Sequence, residues 1–149
     1  MTDLPVRDIA RALVFDPSDR LLLIAYEAAR DVDPARPGLR QVWVLPGGGI
    51  EPGENAPDAM LREFREEAEI VPSGALRLHG FYRNAAAAGR DHVALYVAPA
   101  FSVLRRKAPD REIAECGFFP LDALPEETTR ATRDRLAEIR EGRPPAALW

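Results

Sequence analysis

The sequence predicts one layered domain that mixes strands and helices, of the α+β or α/β class. Short runs of β-branched and aliphatic residues alternate with turn clusters, and only two segments carry helical periodicity. Length agrees: 149 residues suit a single domain, 1–149, able to bury a core without disulfide or metal staples.

Val6 to Phe15 reads as a strand that stops at the turn cluster Asp16-Pro17-Ser18-Asp19. Arg20 to Tyr26 reads as the next strand, so the two are expected to form a hairpin. Glu27 to Arg40, with Pro34, Pro37 and many charges, reads as a loop. Gln41 to Leu45 is a short strand, and Gly47, Gly48 and Gly49 are expected to break regular structure. Asn55 to Glu69 is the clearest helix: Asn55 suits the N-cap, Asp58 resembles a capping box, and Pro57 falls in the tolerant first turn. Strands are expected near Leu76 to Arg83 and His92 to Val103, around a loop Asn84 to Arg90, and again at Gly117 to Leu121. Thr128 to Arg140 reads as a second amphipathic helix, closed by Gly142 and Pro144-Pro145.

Composition excludes some functions. Hydrophobic residues are 46% and charged residues 30%, an ordinary balance for a soluble chain. A net charge of −4 argues against a nucleic-acid backbone as partner, but not against a small phosphate ligand, because a bound cation can reverse the local field. Cys116 is the only cysteine, so an intrachain disulfide is excluded and a reducing compartment is the default. The first residues show no secretion signal and no apolar run approaches membrane-spanning length, so a cytoplasmic location is expected.

The first helix has two faces. At about 100° per residue, Met60, Leu61, Phe64 and Ala68 form an apolar stripe, and Glu63, Glu66 and Glu67 are neighbours on another. Such a cluster beside a glycine loop is either a solvated acidic face or a site for a hard cation, with Arg62 one turn before Glu66 to offset the repulsion. Arg7, Arg11, Arg40, Arg83 and Arg90 could each meet a phosphate or simply be surface cations, and Trp43 could stack on a base or pack in the core. His79 and His92 have no partner visible in the sequence and are read as structural or exposed.

From Gly48 to Ile70 the chain resembles the Nudix box, G-x5-E-x7-R-E-U-x-E-E-x-G-U, where U is apolar. Eight of nine specified positions match: Gly48, Glu54, Arg62, Glu63, Phe64, Glu66, Glu67 and Ile70. Leu45-Pro46-Gly47-Gly48 before the box and Gly117 to Pro125 after it look like the same family. The departure is Glu69, where the family has a glycine that looks like a left-handed helix cap. The helix is therefore expected to end differently, running on toward Pro72.

The resemblance implies an α+β Nudix fold: an α/β/α sandwich whose mixed central sheet has the box helix on one side and the C-terminal helix on the other. It implies a hydrolase that uses Mg²⁺, with Mn²⁺ as a substitute, to cleave the diphosphate linkage of a nucleotide-like small molecule by water attack on phosphorus. A non-catalytic nucleotide-binding module on the same fold is the alternative. Metal would rest on Glu66, Glu67, Glu63 and the Gly47 carbonyl, with Gly48, Glu54 and Arg62 in support. Glu112, in the stretch Asp110 to Glu115, is expected to act as a loop base, with Glu115 and Glu63 as the other candidates. Arg7, Arg40 and Trp43 are the candidate substrate contacts. A proline about 15 residues downstream, a marker of ADP-ribose hydrolases, is missing, since that region is Asn84 to Gly89. No membrane or macromolecular nucleic acid is expected as partner, and a homodimer stays open.

Overall fold

In the computed structural model the described residues are 6–26, 42–84, 91–110 and 113–149. The first two strands are apolar on both faces, and that decides the layering. On β1 (Arg7–Leu13), Ala10 and Ala12 face one core while Ile9 and Leu13 face another. On β2 (Leu21–Tyr26), Leu22 and Ile24 join the first core, and Leu21, Leu23 and Ala25 join the second. Successive strand residues point to opposite faces, so apolar residues at both parities require cover on both sides. Helix α1 (Ala56–Ala68) brings Met60 and Phe64 to the first core, and α2 (Arg130–Glu141) brings Leu136 to the second. The architecture is the expected α+β arrangement, with a mixed sheet and two helices.

The expected β1–β2 hairpin exists only at its turn. Phe15 and Leu21 make one bridge, and the Leu22 amide donates to the Val14 carbonyl at 2.9 Å. Beyond that the strands part, and residues 43–49 fill the gap. β3 (Trp43–Val44) pairs with β2, the Ala12 amide donates to the Pro46 carbonyl at 3.1 Å, and β4 (Gly47–Gly49) pairs antiparallel with β1. The three glycines thus form a short strand rather than a break.

β5 (Ile70–Pro72) makes a two-stranded ribbon with β8 (Phe101–Val103). β6 (Arg77–Asn84) pairs antiparallel with β7 (Asp91–Val97), and β7 runs parallel to β1. The four-stranded sheet is ordered β4-β1-β7-β6, and the three-stranded one β3-β2-β9, with β9 at Ile113–Phe119. The strand expected from His92 to Val103 is two strands, parted at residues 98–100; Pro99 lacks the N–H a ladder needs. β9 begins at Ile113, four residues before the expected start, because the β2 ladder extends that far.

Glu69 corrects the expected helix extension. It adopts the left-handed conformation itself (φ 55°, ψ 42°) and caps α1 at Ala68. A left-handed non-glycine residue costs about 1–2 kcal/mol. Three contacts oppose that cost: its N–H reaches the Arg65 and Phe64 carbonyls, its own carbonyl accepts the Leu104 amide at 2.8 Å, and its carboxylate meets Arg105 Nε at 3.2 Å.

At the other edge, the Arg83 amide donates to the Ala147 carbonyl (3.0 Å) and the Trp149 amide to the Arg83 carbonyl (2.9 Å), laying the tail along β6. Beneath it, the buried Arg135 guanidinium lies 4.5 Å from the Tyr82 ring and pairs with Glu138 at 2.9 Å. Glu138 also accepts from the Tyr82 hydroxyl at 2.7 Å and the Ala146 amide at 3.1 Å. Burial acts to raise its carboxyl pKa, but the Tyr82, Ala146 and Arg135 contacts prevail and hold it below the usual value.

Candidate active site

α1 starts where the sequence indicates: the Asn55 side chain accepts the Asp58 amide at 2.8 Å, and a proline occupies the first turn. Its buried residues are Ala59, Met60, Phe64, Glu67 and Ala68, while Leu61, assigned to the apolar stripe, is exposed. Glu67 therefore sits on the core stripe, 2% exposed. A buried carboxyl needs partners. The Gly47 amide donates to Oε1 at 2.7 Å, and the Tyr26 hydroxyl hydrogen-bonds Oε2. Burial pushes the carboxyl up to about 7; the Tyr26 and Gly47 hydrogen bonds and the Arg11 charge oppose this, and the charge of Glu63 adds to it. Burial and the Glu67 carboxylate likewise push the Tyr26 hydroxyl well above its usual value.

The glycine loop fixes the opposite wall. Gly47 has φ 142°, and a Cβ there would lie 1.9 Å from the Ala10 carbonyl oxygen, so no other residue fits. Its carbonyl accepts from the Tyr26 hydroxyl at 2.9 Å and from Arg11 Nη1 at 3.1 Å. Arg11 Nη1 also reaches the Leu45 carbonyl at 2.9 Å. A Cβ on Gly48 would lie 2.6 Å from Glu63 Oε1, so the bare backbone lets that carboxylate come close.

Arg62 organises the remaining acids. Nε and Nη2 each meet a different oxygen of Glu54 at 3.0 Å, a bidentate pair. Nη1 reaches Glu63 at 3.0 Å and Glu66 at 3.5 Å, and Nη2 also donates to the Gly49 carbonyl at 3.1 Å. Hydrogen bonds from Arg62 and from the Glu51 amide hold the Glu54 carboxyl below its usual range. Glu63 is pushed up by burial, which its pairing with Arg62 only partly offsets.

These groups line one pocket of about 400 Å³: Glu51, Glu63, Glu66 and Glu67, the backbone of Gly47 to Gly49, Arg11, Tyr26 and Arg62. Carboxylate and carbonyl oxygens are the donors that hard divalent cations prefer, so this donor set fits Mg²⁺ or Mn²⁺. Among the described residues, no three His, Cys, Asp or Glu side chains converge as a ready cage. Arg62 engages Glu63 and Glu66, and Tyr26 engages Glu67.

Not every residue singled out from the sequence belongs here. Trp43 is 8% exposed and packs edge-on against Phe119 at 4.9 Å, because β3 turns it into the second core; it offers no stacking face to a ligand. Arg7, at the start of β1, lies outside the pocket lining and pairs with Asp91 at 3.5 Å. Arg40, Arg90 and Glu112 lie outside the described residues. Glu115 is on β9 opposite Ala25, not on a loop, and lines a separate cavity of about 510 Å³ with Arg106, Lys107 and Cys116. The expected histidines stay out of the site: His92 is exposed, and His79 Nε2 is 3.3 Å from Glu138.

Tyr26 and Glu51 escape the sequence reading of the site, and Arg11 enters it only as one possible phosphate contact among several. Tyr26 merely closes an aliphatic strand, and Arg11 is one of five comparable arginines. For Arg11 the available signal was a charged residue placed between Ala10 and Ala12, both fully buried on β1.

Comparison with known proteins identifies the family. The profile of the NUDIX domain matches residues 5–138, and the chain belongs to that family. It is 30% identical over 118 residues to the mouse (Mus musculus) 8-oxo-dGDP phosphatase NUDT18, covering 78% of this chain but only 33% of that protein. The chain therefore spans about a third of that relative's length. A crystal structure of a MutT NUDIX hydrolase from Burkholderia pseudomallei superposes with a TM-score of 0.71 at 29% identity, over 92% of this chain and 99% of that one. An ADP-ribose pyrophosphatase from Streptococcus suis shares the fold, with a TM-score of 0.62 at 21% identity over 91% and 90% of the two chains.

Proposed function

We propose that this chain is a divalent-cation-dependent hydrolase of the diphosphate linkage in a nucleotide-like small molecule. The observation that carries the reading is the single pocket in which Glu63, Glu66 and Glu67 face the Gly47 to Gly49 backbone. The names of its relatives support the substrate class: an 8-oxo-dGDP phosphatase and an ADP-ribose pyrophosphatase both act on nucleotides with phosphoanhydride links.

Mg²⁺, or Mn²⁺ in its place, would be held by Glu63, Glu66, Glu67 and the Gly47 carbonyl. When bound it would neutralise phosphate charge and make a nucleophilic water available at neutral pH. The chain's own residues do the rest. Gly47 N–H and Tyr26 fix the orientation of Glu67, and Arg62 sets the spacing of Glu54, Glu63 and Glu66. Proton removal from the attacking water is assigned to Glu112, with Glu63 and Glu115 as the other candidates. Glu112→Gln should lower turnover about tenfold and reshape the acidic limb of the pH–rate profile, whereas Glu115→Gln should do much less. The lone thiol, Cys116, supports a reducing, cytoplasmic setting.

The test is a panel of nucleoside di- and triphosphates, nucleotide sugars and dinucleotides, each with Mg²⁺ and with Mn²⁺. Metal-dependent release of phosphate or a nucleoside monophosphate is the expected outcome. Tight nucleotide binding without turnover would instead select the non-catalytic binding module.

A further inference from the structure

Among the described residues two guanidinium groups line the pocket, and they are in opposite states. Arg62 commits all three nitrogens, and carboxylates of Glu54, Glu63 and Glu66 meet its charge. Arg11 commits only Nη1, and all three of its partners are uncharged oxygens: the Leu45 carbonyl at 2.9 Å, the Gly47 carbonyl at 3.1 Å and the Tyr26 hydroxyl at 3.4 Å. Among the described residues, Arg11 makes no ion pair, and none accepts from its Nε or Nη2.

A partly buried cation without a direct counter-ion is costly, and the cost falls when an anion arrives. The guanidinium fork also matches phosphate oxygens better than an ammonium does. Its mounting is rigid: β1 is paired on both sides, by β4 and β7, and the flanking Ala10 and Ala12 are fully buried. Moreover, the glutamates of the pocket repel a diphosphate, so a fixed positive charge that no carboxylate among the described residues contacts directly is what such a ligand needs.

We propose that Arg11 is a substrate-binding residue, with Nη1 kept on the Gly47 and Leu45 carbonyls while its free edge takes a non-bridging oxygen of the substrate diphosphate. This rests on the reading of the chain as a diphosphate hydrolase. In this role Arg11 links the glycine loop to the phosphate, so the loop and the ligand are held by one group.

The experiment is calorimetric titration with two probes: Mn²⁺ alone, and methylenediphosphonate in saturating Mn²⁺, a diphosphate whose bridging oxygen is replaced by CH₂. In Arg11→Met, affinity for the diphosphonate should fall about tenfold or more while that for Mn²⁺ stays within about threefold, since Tyr26 still holds the Gly47 carbonyl. Arg11→Lys keeps the charge but loses the fork and should fall about threefold or more, which also covers the case in which the methionine variant does not fold. Wild-type diphosphonate affinity in the folded variants overturns the proposal. So does an equal loss of Mn²⁺ affinity, because Arg11 would then only position the carbonyl. Wild-type protein that binds neither probe overturns the hydrolase reading as well, so the two failures are distinguishable.

Discussion

Replacing Glu67 by glutamine exchanges a titrating carboxyl for an amide of the same shape at a position that is 2% exposed. Burial pushes the native carboxyl up to about 7 from an ordinary 4.5. Between those values the folded chain binds more protons at this site than the unfolded chain does. Stability from Glu67 is thus fully present below about 4.5 and is lost as the pH rises through 7. The gap corresponds to about 3 kcal/mol once both states are ionised, or roughly 10 °C in melting temperature for a domain of this size. The glutamine can still accept the Gly47 amide and meet Tyr26, so it keeps the neutral-state contacts without the titration. In EDTA, Glu67→Gln should melt close to wild type near pH 4.5 and well above it at pH 7.5 to 8. Millimolar Mn²⁺ should reverse the order at pH 8, because only the wild type has the carboxylate to hold it. Urea or thermal melts across that range decide the matter. A wild-type advantage in EDTA that grows with pH would refute the reasoning, as would a difference that ignores pH.

Further outcomes follow from the same geometry. Glu66→Gln and Glu67→Gln should each cost about 100-fold in turnover on a proven substrate while circular dichroism shows a folded chain. Metal-free wild-type protein should gain melting temperature on adding millimolar Mg²⁺, alone or with nucleotide, since the paired acids gain a counter-ion. Gly47→Ala should lose about 3 kcal/mol or more, because its Cβ would meet the Ala10 carbonyl and the residue must hold φ 142°. Arg135→Met should destabilise by about 3 kcal/mol in urea melts by leaving Glu138 a buried charge without its cation, yet leave kcat unchanged, since neither residue lines the pocket.

Local chemistry was legible in the sequence and long-range register was not. Asn55 announced the start of α1, and the spacing of Glu63, Glu66 and Glu67 announced a cluster. Hydrophobic periodicity could not reveal that β1 and β2 part, because a strand buried on both faces reads as an aliphatic run whichever neighbour it pairs with. Nor could it reveal that residues 43–49 cross between the sheets, since a three-glycine run looks like a break until β1 supplies its partner. Glu67 was placed with the acids, but its burial was hidden, because its partners Tyr26 and Gly47 lie 41 and 20 residues away in sequence. Trp43 stayed open for the converse reason: an aromatic on a two-residue strand can face either way, and only the packing of Phe119 decides it.

The crossing of residues 43–49 has a kinetic meaning. Arg11 belongs to one sheet, Tyr26 to the other, Gly47 to the segment stitched between them, and Glu67 to the helix laid over them. No two of the four are local in sequence, so the constellation cannot assemble until both sheets and the helix have docked. A partly folded chain would hold the acidic helix without its pocket. The hydrogen bond from the Gly47 amide to Glu67 therefore reports on completion of the fold, and slow exchange of that single amide would mark chains that have finished assembling.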